Sequence, residues 1–370
     1  MSATVSDTRT VTLDEAAVRL DAAFRVKRPV FIWGPPGIGK SELIHSLMDS
    51  GRYGNAYVID WRLPLMEPTD IRGIPYYNST KNVMDWAPPV ELPDAEMAAQ
   101  YDTIVLFLDE MNAAPPSVQA AAYQLILNRR IGKYHLPDNV VIVAAGNRES
   151  DKGVTYRMPS PLANRFVHLE VRSDFTSWVS WATLNKIHPD VIGYISFAKQ
   201  DLFEFNPRSA SRSFATPRSW TFVSQFCQDD AVDSDALTDL VSGCVGEGLA
   251  VKFMAHRKVA GQMPKPEDIL AGKVKELKVK EVSAQYSLTV SMCYELKDAL
   301  DSKGVTADWH KMVNNFFRFM MDNFETELVV MGARVALKTY NLPFVPKEVA
   351  SFAEFHARYG KYISAAVNIK

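Results

Sequence analysis

Three short stretches carry the residue types and spacing that phosphate chemistry needs. The first runs Gly34, Pro35, Pro36, Gly37, Ile38, Gly39, Lys40, Ser41 and fits G-x-x-x-x-G-K-[ST]. Glycines at these positions let backbone N–H groups close around phosphate oxygens, and the helix that follows presents its unpaired N–H groups to the same anion. Lys40 supplies a cation for the β and γ phosphates, and the Ser41 hydroxyl is a ligand for magnesium. The second stretch, IVLFLDE at 104–110, ends an apolar run in two adjacent carboxylates. Asp109 suits the hydrated metal and Glu110 suits the water that attacks the terminal phosphorus. The third, VVIVAAGN at 140–147, ends in Asn147, whose short amide can orient that water, or can equally be a turn residue. Together they predict magnesium-dependent hydrolysis of a nucleoside triphosphate. No H-E-x-x-H, G-x-S-x-G or cysteine pair supports peptidase, esterase or zinc chemistry. NKIH at 185–188 has His188 where a guanine-reading carboxylate would stand, so ATP is the expected nucleotide.

Such groups must be delivered to one place by the elements around them. Val30–Trp33, Tyr57–Trp61, Ile104–Leu108 and Val140–Ala145 are short, apolar and rich in β-branched or aromatic residues, as expected of strands buried on both faces. Helical stretches are predicted at Lys40–Met48, Asp94–Tyr101 and Pro116–Asn128, the last opening on a tolerated first-turn proline. The order is β-α-β-α-β-α-β, an α/β class with a mainly parallel sheet whose carboxyl edge collects ligands. Beyond about Val171 the pattern turns helical, with helices expected at Ala236–Val251, Leu288–Leu300 and Trp309–Leu337. The segment 273–282 suits a surface strand or one face of a helix. The aromatic run 313–324 reads as core at helical spacing, with a partner-docking face as the alternative.

Composition narrows the classes. At about 100 to 200 residues per domain, 370 residues argue for two or three domains. An apolar share of 47% and a charged share of 23% exclude a disordered or disulfide-stapled chain. Lys plus Arg number 41 against 43 Asp plus Glu, a net charge of -2 that exerts no general pull on nucleic acid or an anionic membrane. Three cysteines without C-x-x-C spacing read as reduced and buried. No signal-peptide pattern and no apolar run near the roughly 18 residues of a span is present, so a cytoplasmic location is expected.

The phosphate loop GPPGIGKS, DEMNAAPPSVQAAAYQLILNRRI at 109–131, AAGNRESDKGVTYRMPSPLANRF at 144–166 and FATPRS at 214–219 together resemble the MoxR branch of the AAA+ ATPases. The resemblance covers about residues 28–220. It implies an AAA+ P-loop core over 1–174 with helix-2 and pre-sensor insertions, an α-helical lid over 175–282 and a helical C-terminal extension over 283–370. It further implies a homo-oligomer, a hexamer, that remodels or activates a protein client beside a von Willebrand factor A domain partner. In that family the position of Arg165 is an arginine finger reaching a neighbour's γ phosphate, and that of Arg218 is the sensor-2 arginine. Two departures stand out: Arg148 occupies a usual proline and Asn164 a usual aspartate. The insertions at 67–93 and 129–139 resemble pore-facing hairpins, where Tyr76, Tyr77 and Trp86 either grip a substrate or simply pack. A nucleic-acid motor or loader is the rival, with Lys81, Arg129, Arg130 and Lys133 as the cations that would line such a pore. A non-hydrolysing scaffold ranks last, because Glu110 is present.

Overall fold

The computed structural model describes residues 9–151, 155–208 and 211–363. Parts of the 144–166 motif and of the C-terminal extension therefore lie outside the described residues. The chain divides into two compact units, one of Met1–Asp174 with Asn206–Ser209 and one of Phe175–Phe205 with Ala210–Lys370.

In the first unit the strands are β1 (Thr10–Val11), β2 (Val30–Trp33), β3 (Ala56–Arg62), β4 (Ile74–Asn78), β5 (Val83–Ala87), β6 (Thr103–Asp109), β7 (Arg130–Ile131), β8 (Tyr134–His135), β9 (Val140–Gly146) and β10 (Val167–Val171). Six of them form one sheet in the order β1-β10-β2-β9-β6-β3, and every pairing in it is parallel. The helices are α1 (Leu13–Arg25), α2 (Lys40–Asp49), α3 (Pro68–Arg72), α4 (Ala95–Gln100), α5 (Pro116–Asn128) and α6 (Ser160–Ala163). Every residue of β9 is buried, as is β6 from Ile104 onward, which is why both read as unbroken apolar runs rather than alternating ones. The core gathers Phe31, Leu106, Ile142, Val118, Leu125 and Phe166. β2 is followed in the chain by β3 yet lies between β10 and β9. Strand order therefore breaks at the carboxyl end of β2, where an open α/β sheet leaves its ligand crevice.

Two hairpins leave this sheet, β4–β5 and β7–β8. Gly73, at φ +80°, closes the first, and a Cβ there would strike the Ala87 carbonyl.

The second unit is helical: α7 (Phe175–Leu184), α8 (Pro189–Phe197), α9 (Pro217–Cys227), α10 (Ser234–Val245), α11 (Glu247–Ala260), α12 (Pro266–Leu270), α13 (Val282–Lys303), α14 (Ala307–Asn323), α15 (Thr326–Arg334) and α16 (Ala350–Ile363). The 22-residue α13 is shared by two cores: Val290 joins Trp220 and Phe253, while Leu288, Met292 and Leu296 join Phe316, Phe317 and Phe352. The aromatic run 313–324 is thus core, with Phe316 and Phe317 fully buried.

Three expectations are corrected. The single helix at Trp309–Leu337 is α14 and α15, broken at Phe324, whose extended backbone (φ -116°, ψ 153°) ends α14. The single helix at Ala236–Val251 is two, because Gly246 sits at φ +95° between α10 and α11, a conformation that ends a helix and favours glycine. Segment 273–282 is neither strand nor helix over 273–281. Asn323 holds it instead, accepting from the Leu277 N–H at 2.7 Å and donating to the Lys275 carbonyl at 2.9 Å.

Candidate functional site

The phosphate loop leaves β2 at Gly34, whose N–H donates to the Gly146 carbonyl at 3.2 Å. A Cβ at Gly34 would come within 2.6 Å of Ile38 Cδ1 and 2.9 Å of the Val171 carbonyl. The chain can turn this tightly against the sheet edge only without a side chain. Gly37 and Gly39 both have positive φ, at +75° and +99°. Gly39 caps α2 without a side-chain bond, so the first N–H groups of α2 are available to an anion.

Lys40 opens α2, and its ammonium donates to the Gly34 carbonyl at 2.8 Å, the Pro35 carbonyl at 3.0 Å and Asn147 Oδ1 at 3.0 Å. One residue on, the Ser41 hydroxyl donates to Asp109 Oδ2 at 3.1 Å. The other oxygen of Asp109 accepts from the Glu110 N–H at 2.9 Å. The ends of β2, β6 and β9 are thereby joined through side chains. Asp109 is 8% exposed, whereas Glu110 is exposed. Glu110 lies at φ +53°, a left-handed conformation unusual for a residue with a side chain, and it ends β6 there.

Asp60 on β3 adds a second carboxyl beside Asp109. Burial pushes its pKa above the ordinary value, the Asp109 charge pushes the same way, and Arg62 and His45 oppose them. Strand register explains the grouping, since Arg62 pairs with Asp109 and Asp60 with Phe107.

The sequence motif gave Asn112 no role of its own. It is 3% exposed, and its amide donates to the Asn147 carbonyl at 2.7 Å, so it fixes the backbone of Asn147 from behind. A Cβ on Gly146 would strike the Asn112 amide, which makes glycine necessary just before Asn147. The only sequence signal was an asparagine two residues after Glu110 in a short turn.

Arg148 is held between two carboxylates. Its guanidinium bonds Asp151 through Nε at 3.1 Å and Nη2 at 2.9 Å, and Glu170 through Nη1 at 3.4 Å. Its pKa is raised chiefly by the bond to Asp151. Where a proline would stiffen this turn, a charge-assisted clamp does so instead.

Neither carried-over arginine bonds a residue of this cluster among the described residues. Arg165 is exposed on the turn after α6, and its guanidinium has no hydrogen-bond or ion-pair partner among the described residues. Arg218 is exposed at the second residue of α9, in the other unit. Thr216 and Ser219 cap that helix reciprocally, which fixes the backbone under Arg218. In the β4–β5 hairpin Tyr76 is 45% exposed and Tyr77 64%, while the Trp86 indole donates to the Arg72 carbonyl and so helps build the hairpin.

The donor set fits a magnesium nucleotide: a hydroxyl already aligned on a buried carboxylate, a lysine at the head of a helix, and a loop where Gly34 leaves no room for a Cβ and Gly37 and Gly39 hold positive φ. Among the described residues no group of three or more His, Cys, Asp and Glu has metal-binding form.

No family model matches the chain. Over 190 residues it is 27% identical to Midasin of Giardia intestinalis, a match covering 48% of this chain and 4% of that protein's length. Among solved structures it resembles a candidate ATPase from Cytophaga hutchinsonii at 15% identity and TM-score 0.34, covering 98% of this chain and 91% of that one. A RuvB variant from Thermotoga maritima matches at 19% identity and TM-score 0.35 over 85% and 90% of the two chains. At these identities and scores the functional assignment rests on the geometry of the site.

Proposed function

We propose that the chain is a magnesium-dependent ATPase of the AAA+ type, working as a hexameric ring on a protein client. The observation that carries this is the bonded set at three adjacent strand ends: Lys40 to Asn147 at 3.0 Å and Ser41 to Asp109 at 3.1 Å. Phosphate oxygens would take over the Lys40 contacts and the α2 N–H groups. Ser41 and Asp109 would hold magnesium, which supplies positive charge to the phosphates when bound. Glu110, free of the Asp109 pairing through its carboxylate, accepts a proton from the attacking water. The new bond forms to the γ phosphorus as the bond to the β–γ bridging oxygen breaks, leaving ADP and phosphate. Asn147, gripped by Lys40 and Asn112, orients that water.

Exposed and without a partner among the described residues, Arg165 is suited to act on the next subunit's nucleotide, where a planar guanidinium can fork onto the developing charge. Arg218 would read nucleotide state from the helical unit. The MoxR manner of working and the von Willebrand factor A domain partner follow from the motif resemblance. The nucleic-acid rival loses two of its cations. Arg129 donates to the Pro137 and Val140 carbonyls, both at 2.8 Å, and Lys133 pairs with Asp85 at 2.8 Å.

Phosphate release that needs magnesium, vanishes in Lys40→Ala and is indifferent to DNA is the expected result, with ATP shifting light scattering to a hexamer. A monomer under saturating ATP and magnesium contradicts the ring. Salt-sensitive stimulation by DNA contradicts the protein client.

A further inference from the structure

Trp33 ends β2 and precedes Gly34 directly, and its indole N–H donates to His168 Nδ1 at 2.8 Å. An indole nitrogen can only donate, so Nδ1 is the unprotonated acceptor. The other ring nitrogen, Nε2, lies 2.8 Å from the Ala163 carbonyl, which can only accept. Nε2 therefore carries the proton, and the two contacts select one neutral tautomer of His168. Protonating Nδ1 would set two donors against each other.

The placement is not accidental to the sheet. His168 pairs with Phe31 and Glu170 with Trp33, so these four side chains share one face. There Trp33 stacks on Phe31 at 4.1 Å and Phe166 meets Phe31 edge-on at 5.4 Å. Ala163 is the last residue of α6 and stands two before Arg165. On the same face Glu170 receives Arg148, the neighbour of Asn147. One face of β10 thus touches the strand feeding the phosphate loop, the turn bearing Arg165 and the turn following Asn147.

We propose that His168 is a positioning residue for Arg165: it ties the turn that carries the finger to the strand that enters the phosphate loop. This rests on the reading of Arg165 as a group acting on the neighbouring subunit.

His168→Ala should lower kcat on the order of 10²-fold, as misplacing a reacting group does, with KM and ATP affinity unchanged. Mixing it with Lys40→Ala subunits, which keep an intact finger, should restore turnover, just as the same mixing restores Arg165→Ala. Rescue of Arg165→Ala without rescue of His168→Ala places the defect in the subunit's own site and overturns the proposal alone. Failure of both removes the trans reading and this inference with it. Wild-type kcat in His168→Ala also overturns it. If His168→Ala does not fold, Trp33→Phe carries the test by the same readouts, because it keeps a ring on Phe31 and removes only the N–H.

Discussion

The proposed phosphate cluster and the turn bearing Arg165, the proposed finger, belong to the same unit and are held in opposite ways. Lys40, Ser41, Asp109, Asn112 and Asn147 are bonded to one another or to the loop, at the ends of buried strands. Arg165 has a fixed backbone, its N–H on the Leu162 carbonyl at 3.0 Å, and an exposed guanidinium with no partner among the described residues. Groups that must already be in place when charge develops are cross-bonded, because a preorganised dipole costs no reorganisation during reaction. A group that must meet something from outside is left open, and only its base is tied down. Glu110 stands between the two: its backbone bonds Asp109 and its side chain faces out.

That contrast can be broken at several points. Removing the open group should cost most: Arg165→Ala is expected to lower ATP turnover by about 10³ to 10⁵ while equilibrium ATP binding stays at the wild-type level. A parallel loss of binding would mean that the arginine supports its own site. Next in size is a change in the helical unit. Phe317 is fully buried, and Phe317→Ala should destabilise the helical unit by about 3 to 5 kcal/mol in denaturant melts. A melt unchanged from wild type would deny the aromatic run its place as core.

Within the cross-bonded set, Asn147→Ala should slow turnover by about 10² to 10³. Asn112→Ala, which acts through Asn147, should slow it by about 10 to 100. Equal effects would deny Asn112 its indirect role.

The smallest effect is a pH dependence of the helical unit. His256 is buried, with Nε2 at 2.9 Å from Ser287 Oγ. Burial lowers its pKa below the ordinary value of 6.5, against the charges of Asp190 and Glu281, and burial also lowers that of His188. With the folded pKa depressed, the unfolded chain takes up protons first. Stability is therefore complete above about pH 6.5 and falls as pH drops below it. His256→Leu should flatten the decline in melts between those conditions, and an unchanged slope would assign it elsewhere.

Much of the cluster was legible in the sequence because its parts are local. A glycine-rich turn between a strand and a helix, or a carboxylate pair at the end of an apolar run, announces itself within a few residues, and Pro116–Asn128 is a helix over the same bounds. What stayed hidden depends on partners distant in the chain. Nothing near Trp33 indicates that His168 will accept its N–H, and nothing near Arg148 indicates that Glu170 will join Asp151. The break at Gly246 was obscured by apolar periodicity that continues across it. Segment 273–281 depends on Asn323, more than 40 positions away, so its alternating charge misled. The α/β class with a parallel sheet stands because strands buried on both faces leave little choice.

The central claim is that the strand-end cluster hydrolyses ATP with Glu110 as the group that takes the proton from water. Single-turnover hydrolysis measured beside equilibrium ATP binding in Glu110→Gln tests it most directly. The expected result is wild-type affinity with hydrolysis slowed by about 10² to 10⁴. Hydrolysis at the wild-type rate in that variant would contradict the account.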